Sequence, residues 1–571
     1  MSFNHTSDQA PHIDVEITSE EQLNHSVRPP SVQSQPNSRP NSHLERYNSS
    51  RMAHGQNALP DQLAQNESLQ NQRISIEGPL SQNVIYDLKF NTSSESLAEE
   101  RMNVRDSMQL ASHSAFDTLD KENTQKSAEN DGNADDNVRT NLGNTKVVMN
   151  LLSEMWIIHI AVIIGGTYAM TFLLPQEYSD EELWNYTMWW KLGWIFPLPY
   201  TLICFFSLAL PFRTTKFLAF EESEARRIDN LYILTVTKGD NREAVIRAWN
   251  AHKHLEGFDP CIRVHVLTDE PYYFEQMNCF TCPKSFQTGQ SKYKARALEW
   301  YRQTMKYTEY DWVLHLDEES VIDDESVRQV LSFIRYEKEY TWGQGVIIYN
   351  QYRYWKNWFF TVGDAIRVGD DLARFHLQYD FFHSPTFGAH GSFLLSNGIV
   401  ENSITWDLGS LTEDYQFATH AWELGFKCGK IPGIVREQSP MDTIGFLKQR
   451  RRWYVGIRRL PQLLPKVWWF FWTLGTLSLY FTVASVILGF IIKLQTPRWF
   501  GLLKDFSFVN FVYLYILGIF IQDLDKRKNP ILIILHIPMT AVLQFFAVIL
   551  EAMAVMYGLI FPPSDFDVIK K

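Results

Sequence analysis

The chain has 571 residues, with 53 Lys and Arg against 65 Asp and Glu, for a formal charge of −12; that length admits two or three domains. That charge is partly a property of the N-terminal stretch, and the basic residues beyond it crowd near the expected membrane surface, which argues against a nucleic-acid partner. Five scattered cysteines do not make the close-spaced framework of a secreted disulfide scaffold and point to a reducing compartment.

Residues 1 to 147 are dense in Ser, Asn, Gln, Asp and Glu, contain no Trp or Cys, and show no sustained apolar period. Such a stretch cannot bury enough surface to offset the entropy of ordering it, so a disordered polar tail is expected there. Two apolar runs follow, 155 to 174 and about 189 to 211, each near the ~20 residues needed to cross hydrocarbon and both too deep in the chain for a cleaved signal peptide. The loop 175 to 188 between them has no Lys or Arg, whereas Arg213, Lys216, Arg226 and Arg227 follow the second run. The positive-inside rule then puts everything after it in the cytosol. The sequon at Asn185 lies on the opposite side.

From about 225 to 465 the pattern changes to short apolar runs alternating with amphipathic stretches, which predicts a parallel sheet covered by helices. Strands are expected at Leu231 to Thr237, Ile262 to Thr268 and Trp312 to Leu316, with helices at 241 to 255 and about 291 to 305. Cys279 and Cys282 form a C-x-x-C, but no second pair or His cluster completes a zinc site, so free thiols are expected. Two strands run into carboxylates, Asp269-Glu270 and Asp317-Glu318-Glu319. At the C-terminal edge of such a sheet a carboxylate can hold a nucleoside, and a spaced pair can hold a divalent cation on a diphosphate. A solvated loop ahead of a helix N-terminus fits the second set as well. Thr412-Glu413-Asp414 could present a general base to a cleft or merely cap a helix. Gln449-Arg450-Arg451-Arg452-Trp453 groups an amide, guanidinium groups and an indole, and also fits a basic patch at a membrane surface. The aromatic run 349 to 360 suits a sugar platform, core packing or interfacial anchoring alike.

Three apolar runs close the chain, at about 467 to 492, 506 to 521 and 530 to 561. The last would reach ~45 Å as one helix, longer than a ~30 Å hydrocarbon core, so one tilted helix and a broken pair both fit. Lys526, Arg527 and Lys528 agree with a cytosolic central domain, while Lys493, Arg498 and Lys504 point the other way. The division expected is therefore a tail over 1–147, two transmembrane helices over 148–215, a cytosolic domain over 216–465 and a membrane region of two or three spans over 466–571.

The order of the motifs resembles the family-2 glycosyltransferases of cellulose, chitin and hyaluronan synthesis. The matching residues are Asp269, Asp317 with Glu319, Glu413 with Asp414, and Gln449, Arg452 and Trp453; Lys294-Ala295-Arg296-Ala297-Leu298 resembles that family's K-A-G-A-L, with Arg296 where the family has Gly. A second departure is Glu319 where the family's second metal position is Asp. The runs VLHLDEES, HGSFLLSN, LTEDYQF and QRRRWYVGI look closer still to the β-1,4-mannosyltransferases of glycosphingolipid synthesis. The resemblance implies an α/β, Rossmann-like GT-A domain inserted between transmembrane helices, in a multi-pass protein of the endoplasmic reticulum or Golgi. It implies GDP-mannose as donor, glucosylceramide as lipid acceptor, inversion at the sugar, and Mn2+ or Mg2+ as cofactor. It assigns Asp414 as base and Asp317 and Glu319 to the metal; Asp269, Lys294, Asp317, Gln449, Arg452 and Trp453 go to the nucleotide sugar, and Glu413 to positioning. A processive polysaccharide synthase is the rival reading, and it would need a channel of several helices.

Overall fold

The computed structural model describes residues 143–174, 178–179, 186–212, 225–270, 277–352, 354–491 and 495–563. Expectations for the tail before 143, and for Asn185, Arg213, Lys216 and Lys493, lie outside these residues. The first helix, α1 (Thr145–Glu154), begins inside the stretch expected to be tail. Its Thr145 hydroxyl donates to Asp323, 178 residues away, a partner that local hydropathy cannot reveal. Next come α2 (Trp156–Tyr168), running on into a π-helical turn, and α3 (Leu198–Leu208), entered through a 3₁₀ segment from Tyr186.

The central sheet follows. Its elements are β1 (Asn230–Thr237), α4 (Arg242–His252), β2 (Ile262–Thr268), β3 (Cys279–Thr281), α5 (Tyr293–Met305), β4 (Asp311–Asp317), β5 (Val321–Ile322), α6 (Asp324–Tyr336) and β6 (Trp342–Ile348). The chain continues through α7 (Trp358–Leu372), β7 (Leu394–Asn397), α8 (Gly398–Ile404), α9 (Glu413–Glu423), β8 (Cys428–Arg436) and α10 (Thr443–Arg459). The strand order is β3-β2-β1-β4-β7-β6-β8-β5. β1, β2, β3 and β4 are mutually parallel, and the burial of β1, β2 and β4 on both faces explains why the sequence reads there as short apolar runs. The sheet is mixed rather than parallel throughout: β7 enters antiparallel between β4 and β6, and β5 is antiparallel to β8. β7 is only four residues long, too short to carry a period that reports direction. This mixed sheet, with helices packed against it, is the α/β GT-A architecture expected. All five cysteines are free.

Among the described residues, five helical stretches are long and apolar enough to cross a membrane: Trp156–Leu173, Trp189–Leu208, Leu463–Leu488, Arg498–Asp525 and Pro530–Ile560. The last three contain or form α11 (Leu463–Gly489), α12 (Arg498–Asp525) and α13 (Pro530–Ile560). α13 is a single helix with Pro538 inside it, not a broken pair. Both its ends are tied to elements that border the sheet: His536 bonds Asp523 at 2.7 Å, and Arg459 of α10 donates to the Pro563 carbonyl at 3.0 Å.

α12 is the most enclosed of these helices and joins the membrane-type region to the sheet. Its Gln522 accepts from the Tyr349 amide, and its Asp525 accepts two bonds from Arg436 at the end of β8. α12 crosses α7 so closely that a Cβ on Gly518 would lie 2.1 Å from the Ala365 carbonyl oxygen. That backbone approach admits only hydrogen. Gly518→Ala is therefore expected to cost about 3 kcal/mol, the upper end for overpacking, read as a lowered thermal midpoint of the detergent-solubilised protein; an unchanged midpoint would mean the helices separate freely.

Candidate active site

A cavity of about 810 Å³ opens at the C-terminal ends of β1 and β4 and continues between the apolar helices. Its polar end is lined by Lys294, Asp317, Glu319, Glu413, Asp414, Glu437, Gln449, Arg452 and Trp453. Each comes from an element whose end the sheet fixes. Asp317 is the last residue of β4, and Lys294 lies in the first turn of α5. Glu413 and Asp414 open α9, and Glu437 follows β8 directly. α10 brings Gln449, Arg452 and Trp453. Asp269 does not line this cavity. It is buried at the end of β2, where Arg296 holds it at 2.8 Å. Arg296 also donates to the Pro283 and Phe286 carbonyls. The family's glycine at that position would leave Asp269 without this partner, so the Gly-to-Arg departure and the position of Asp269 are one feature. Burial raises the Asp269 carboxyl above its ordinary range, against the pull of Arg296.

Asp317, Glu319 and Glu437 each place a carboxylate oxygen within 4.8 Å of the others. Divalent cations bind oxygen at roughly 2.0–2.6 Å, which sets two ligands about 3–5 Å apart, so the donor set and spacing fit a hard divalent ion. Glu437 was not anticipated from the sequence, although the same strand-end rule that marks Asp269 and Asp317 would have reached it, since β8 ends at Arg436. Behind it, Ser320 donates to Glu437 at 3.2 Å and shares a 2.8 Å hydroxyl contact with Ser392, fixing the carboxylate's orientation. Glu318, between the two expected metal ligands, is turned back to Thr237 and Asn241. Glu437→Gln is expected to weaken Mn2+ binding about 10-fold or more, as loss of one charged ligand does; titration followed by the ion's paramagnetic resonance measures it, and wild-type affinity would remove Glu437 from the set.

Lys294 reaches Asp317 in a close ion pair. Burial alone would lower its ammonium, but Asp317, Glu413 and Asp414 outweigh burial and hold it well above its ordinary value. Gly391 lets these groups meet: a Cβ there would sit 3.3 Å from Asp414 Oδ2 and 3.4 Å from Lys294 Nζ. Asp414 Oδ1 accepts from the Tyr415 amide at 2.8 Å. Burial first, then the charge of Glu413, push the Asp414 carboxyl up to about 7, with Asp317 adding to the rise and the Tyr415 amide and Lys294 opposing it. A carboxyl tuned near neutrality beside a cleft suits proton abstraction from a hydroxyl.

The three consecutive arginines of α10 go to three places. Arg450 is buried, donating to Asp364 and, at 2.7 Å, to Glu551 of α13. Arg451 lies over the Tyr557 ring at 4.4 Å, and Arg452 lines the cavity. A solvated basic patch is thereby excluded for Arg450 and Arg451, which are 2% and 8% exposed. Arg367 and Arg450 lie 4.3 and 4.5 Å from the Trp453 ring, so the indole packs these guanidiniums as well as bordering the cavity. Lys238 and Tyr293 also line the cavity near the end of β1, with Lys238 Nζ 5.2 Å from the Tyr293 ring. They carry no motif that sequence reasoning could have singled out.

Residues 312–546 match the family described as Glycosyl transferase family group 2. The chain is similar to Beta-1,4-mannosyltransferase egh of Drosophila melanogaster, 28% identical over 364 residues, which cover 59% of this chain and 77% of that protein. It is also similar to Beta-1,4-mannosyltransferase bre-3 of Caenorhabditis elegans, 30% identical over 295 residues, covering 49% of this chain and 64% of that one. Among solved structures, a mannosyltransferase from Pyrobaculum calidifontis, in complex with GDP-Man and Mn2+, aligns over 72% of this chain and 99% of its own at 11% identity and a TM-score of 0.33.

Proposed function

We propose that this chain, which belongs to the family-2 glycosyltransferases and is a hexosyltransferase, moves mannose from GDP-mannose to the 4-hydroxyl of glucosylceramide with inversion, giving mannosyl-β-1,4-glucosylceramide. The observation that carries this reading is the convergence of Asp317, Asp414 and Arg452 on one cavity that continues among apolar helices. The β-1,4-mannosyltransferases it resembles supply the sugar and the linkage.

In this reading Asp414 takes the proton of the acceptor hydroxyl as that oxygen attacks the anomeric carbon from the face opposite the diphosphate. Arg452 donates hydrogen bonds to the departing diphosphate. Asp317, Glu319 and Glu437 would hold Mn2+ or Mg2+, which when bound offsets charge growing on the leaving group. Lys294 adds a positive charge beside Asp317, and Glu413 and Gln449 position donor and acceptor. Asp269, held by Arg296, keeps the end of β2 in place next to the nucleoside side of the cavity. We place the tail, the paired first spans, the cytosolic domain and the C-terminal membrane region as the sequence divides them, in a membrane of the endoplasmic reticulum or Golgi. α13 then lies along the cytosolic face, since both its ends return to elements bordering the sheet.

The test is transfer by purified full-length protein, with Mn2+, from a panel of labelled nucleotide sugars to glucosylceramide, with products sized. One mannose per lipid, from GDP-mannose alone, is expected. A long polymer would support the processive synthase, and transfer from another donor would remove mannose.

A further inference from the structure

Below the carboxylates the same cavity runs on along α11, from Trp468 to Val486, against Phe508, Phe511 and Tyr515 of α12 and Gln544, Phe545, Val548, Glu551 and Ala552 of α13. The span from Trp468 to Val486 is about 27 Å of helix. Three of the four hydroxyls that α11 turns to this cavity are committed, Thr476 to the Trp472 carbonyl, Thr482 to that of Ser478 and Ser485 to that of Phe481; Ser478 is the fourth, and Lys504, Asp505 and Ser507 of α12 add polar groups to the lining. Most of the wall is therefore hydrocarbon and aromatic surface. A polysaccharide passing through would forfeit hydrogen bonds to water without replacement, whereas an alkyl chain would lose nothing. Three apolar lining residues, Val486, Phe508 and Phe545, are exposed, so the cavity is open along its apolar part.

α13 adds two polar side chains where this wall meets the carboxylate end. Gln544 and Glu551 stand two turns apart on one face of α13 and both line the cavity. α13 is otherwise almost wholly apolar, and polar groups on such a helix are costly unless they serve a ligand or a partner. Glu551 has one partner in Arg450, which sits beside Gln449 and Arg452. Resting on the acceptor reading above, we propose that the lower cavity between α11, α12 and α13 is the slot for the acceptor's hydrocarbon chain, and that Gln544 and Glu551 receive an amide- and hydroxyl-bearing neck joining that chain to its sugar.

The experiment uses full-length protein in nanodiscs and a glucosylceramide with a diazirine in its acyl chain; photolabelled peptides are mapped and labelling needs no turnover. A Cβ on Gly475, which lines the slot, would meet nothing within 4 Å, so Gly475→Trp can fill the slot without forcing the helix apart. Labelling is expected on the cavity face of α11 and α13 in the wild type, falling about 10-fold or more in Gly475→Trp while GDP affinity is retained. Labels confined to the outer stripe of α13, at Ile534, Val542 and Phe546, and indifferent to Gly475→Trp, would overturn the slot. For the neck, glucosylceramide should compete for labelling roughly 10-fold better than a glucosyl diacylglycerol, the worth of about one buried hydrogen bond, and Gln544→Leu should close that gap. Equal competition by the two lipids in the wild type would overturn the neck assignment. Labelled but inactive wild-type protein would count against the proposed reaction and leave the slot standing.

Discussion

Asp414→Asn is expected to lower kcat by about 100-fold or more while leaving GDP affinity near the wild-type value, because a positioned base contributes roughly 10²- to 10⁴-fold and the amide keeps the side chain's shape. The substitution removes one negative charge from a pocket that also holds Glu413 and Asp317, so donor binding has no electrostatic reason to fall. The pH profile carries the same assignment. The base acts in its charged form, and burial with Glu413 places the Asp414 carboxyl at about 7. Turnover under donor and acceptor saturation should therefore rise about tenfold per pH unit below 7 and level off above it. The Asn variant should lose that rising limb. A variant with wild-type turnover, or one that keeps the limb, would move the base to another residue.

Asp317→Asn should be as damaging by a different route. Asp317 is both the partner of Lys294 and one of three carboxylates spaced for a cation. Neutralising it would remove a proposed metal ligand and leave the buried Lys294 with less to offset its desolvation. The expected result is loss of Mn2+-dependent GDP binding, with turnover down about 1,000-fold, in the range that loss of a major electrostatic group gives. Calorimetric titration of GDP with and without Mn2+ separates this from the Asp414 variant, which should still show the metal dependence. Retained Mn2+-dependent binding would mean that the cation is held elsewhere.

The strands that lead into Asp269 and Asp317 were legible because both are largely buried and read as short, mainly apolar runs ending in acids. The convergence of Asp317, Asp414 and Arg452 was implied by motif order, since each motif stands at the end or start of an element that meets the sheet edge. Other parts were hidden for physical reasons. β7 is short and antiparallel, so no periodicity announces that it parts the parallel half of the sheet from β6 and β8. α1 docks through Val148, Met149 and Leu152 in the core and through Thr145 on Asp323, contacts with segments distant in sequence. The fates of Arg450, Arg451 and Arg452 depend on Asp364, Glu551 and Tyr557, none of which is near them in the chain. Arg296 was visible as a departure from the family, yet its closure over Asp269 required the fold.

The proposed arrangement of base and diphosphate ligands around one cavity calls for a single in-line displacement, and the configuration of the new glycosidic bond tests that directly. With GDP-α-mannose carbon-13 labelled at the anomeric position, glucosylceramide and Mn2+, the one-bond carbon–hydrogen coupling of the first product to appear should be that of a β-mannoside. An α-mannoside at the earliest time points would contradict the account.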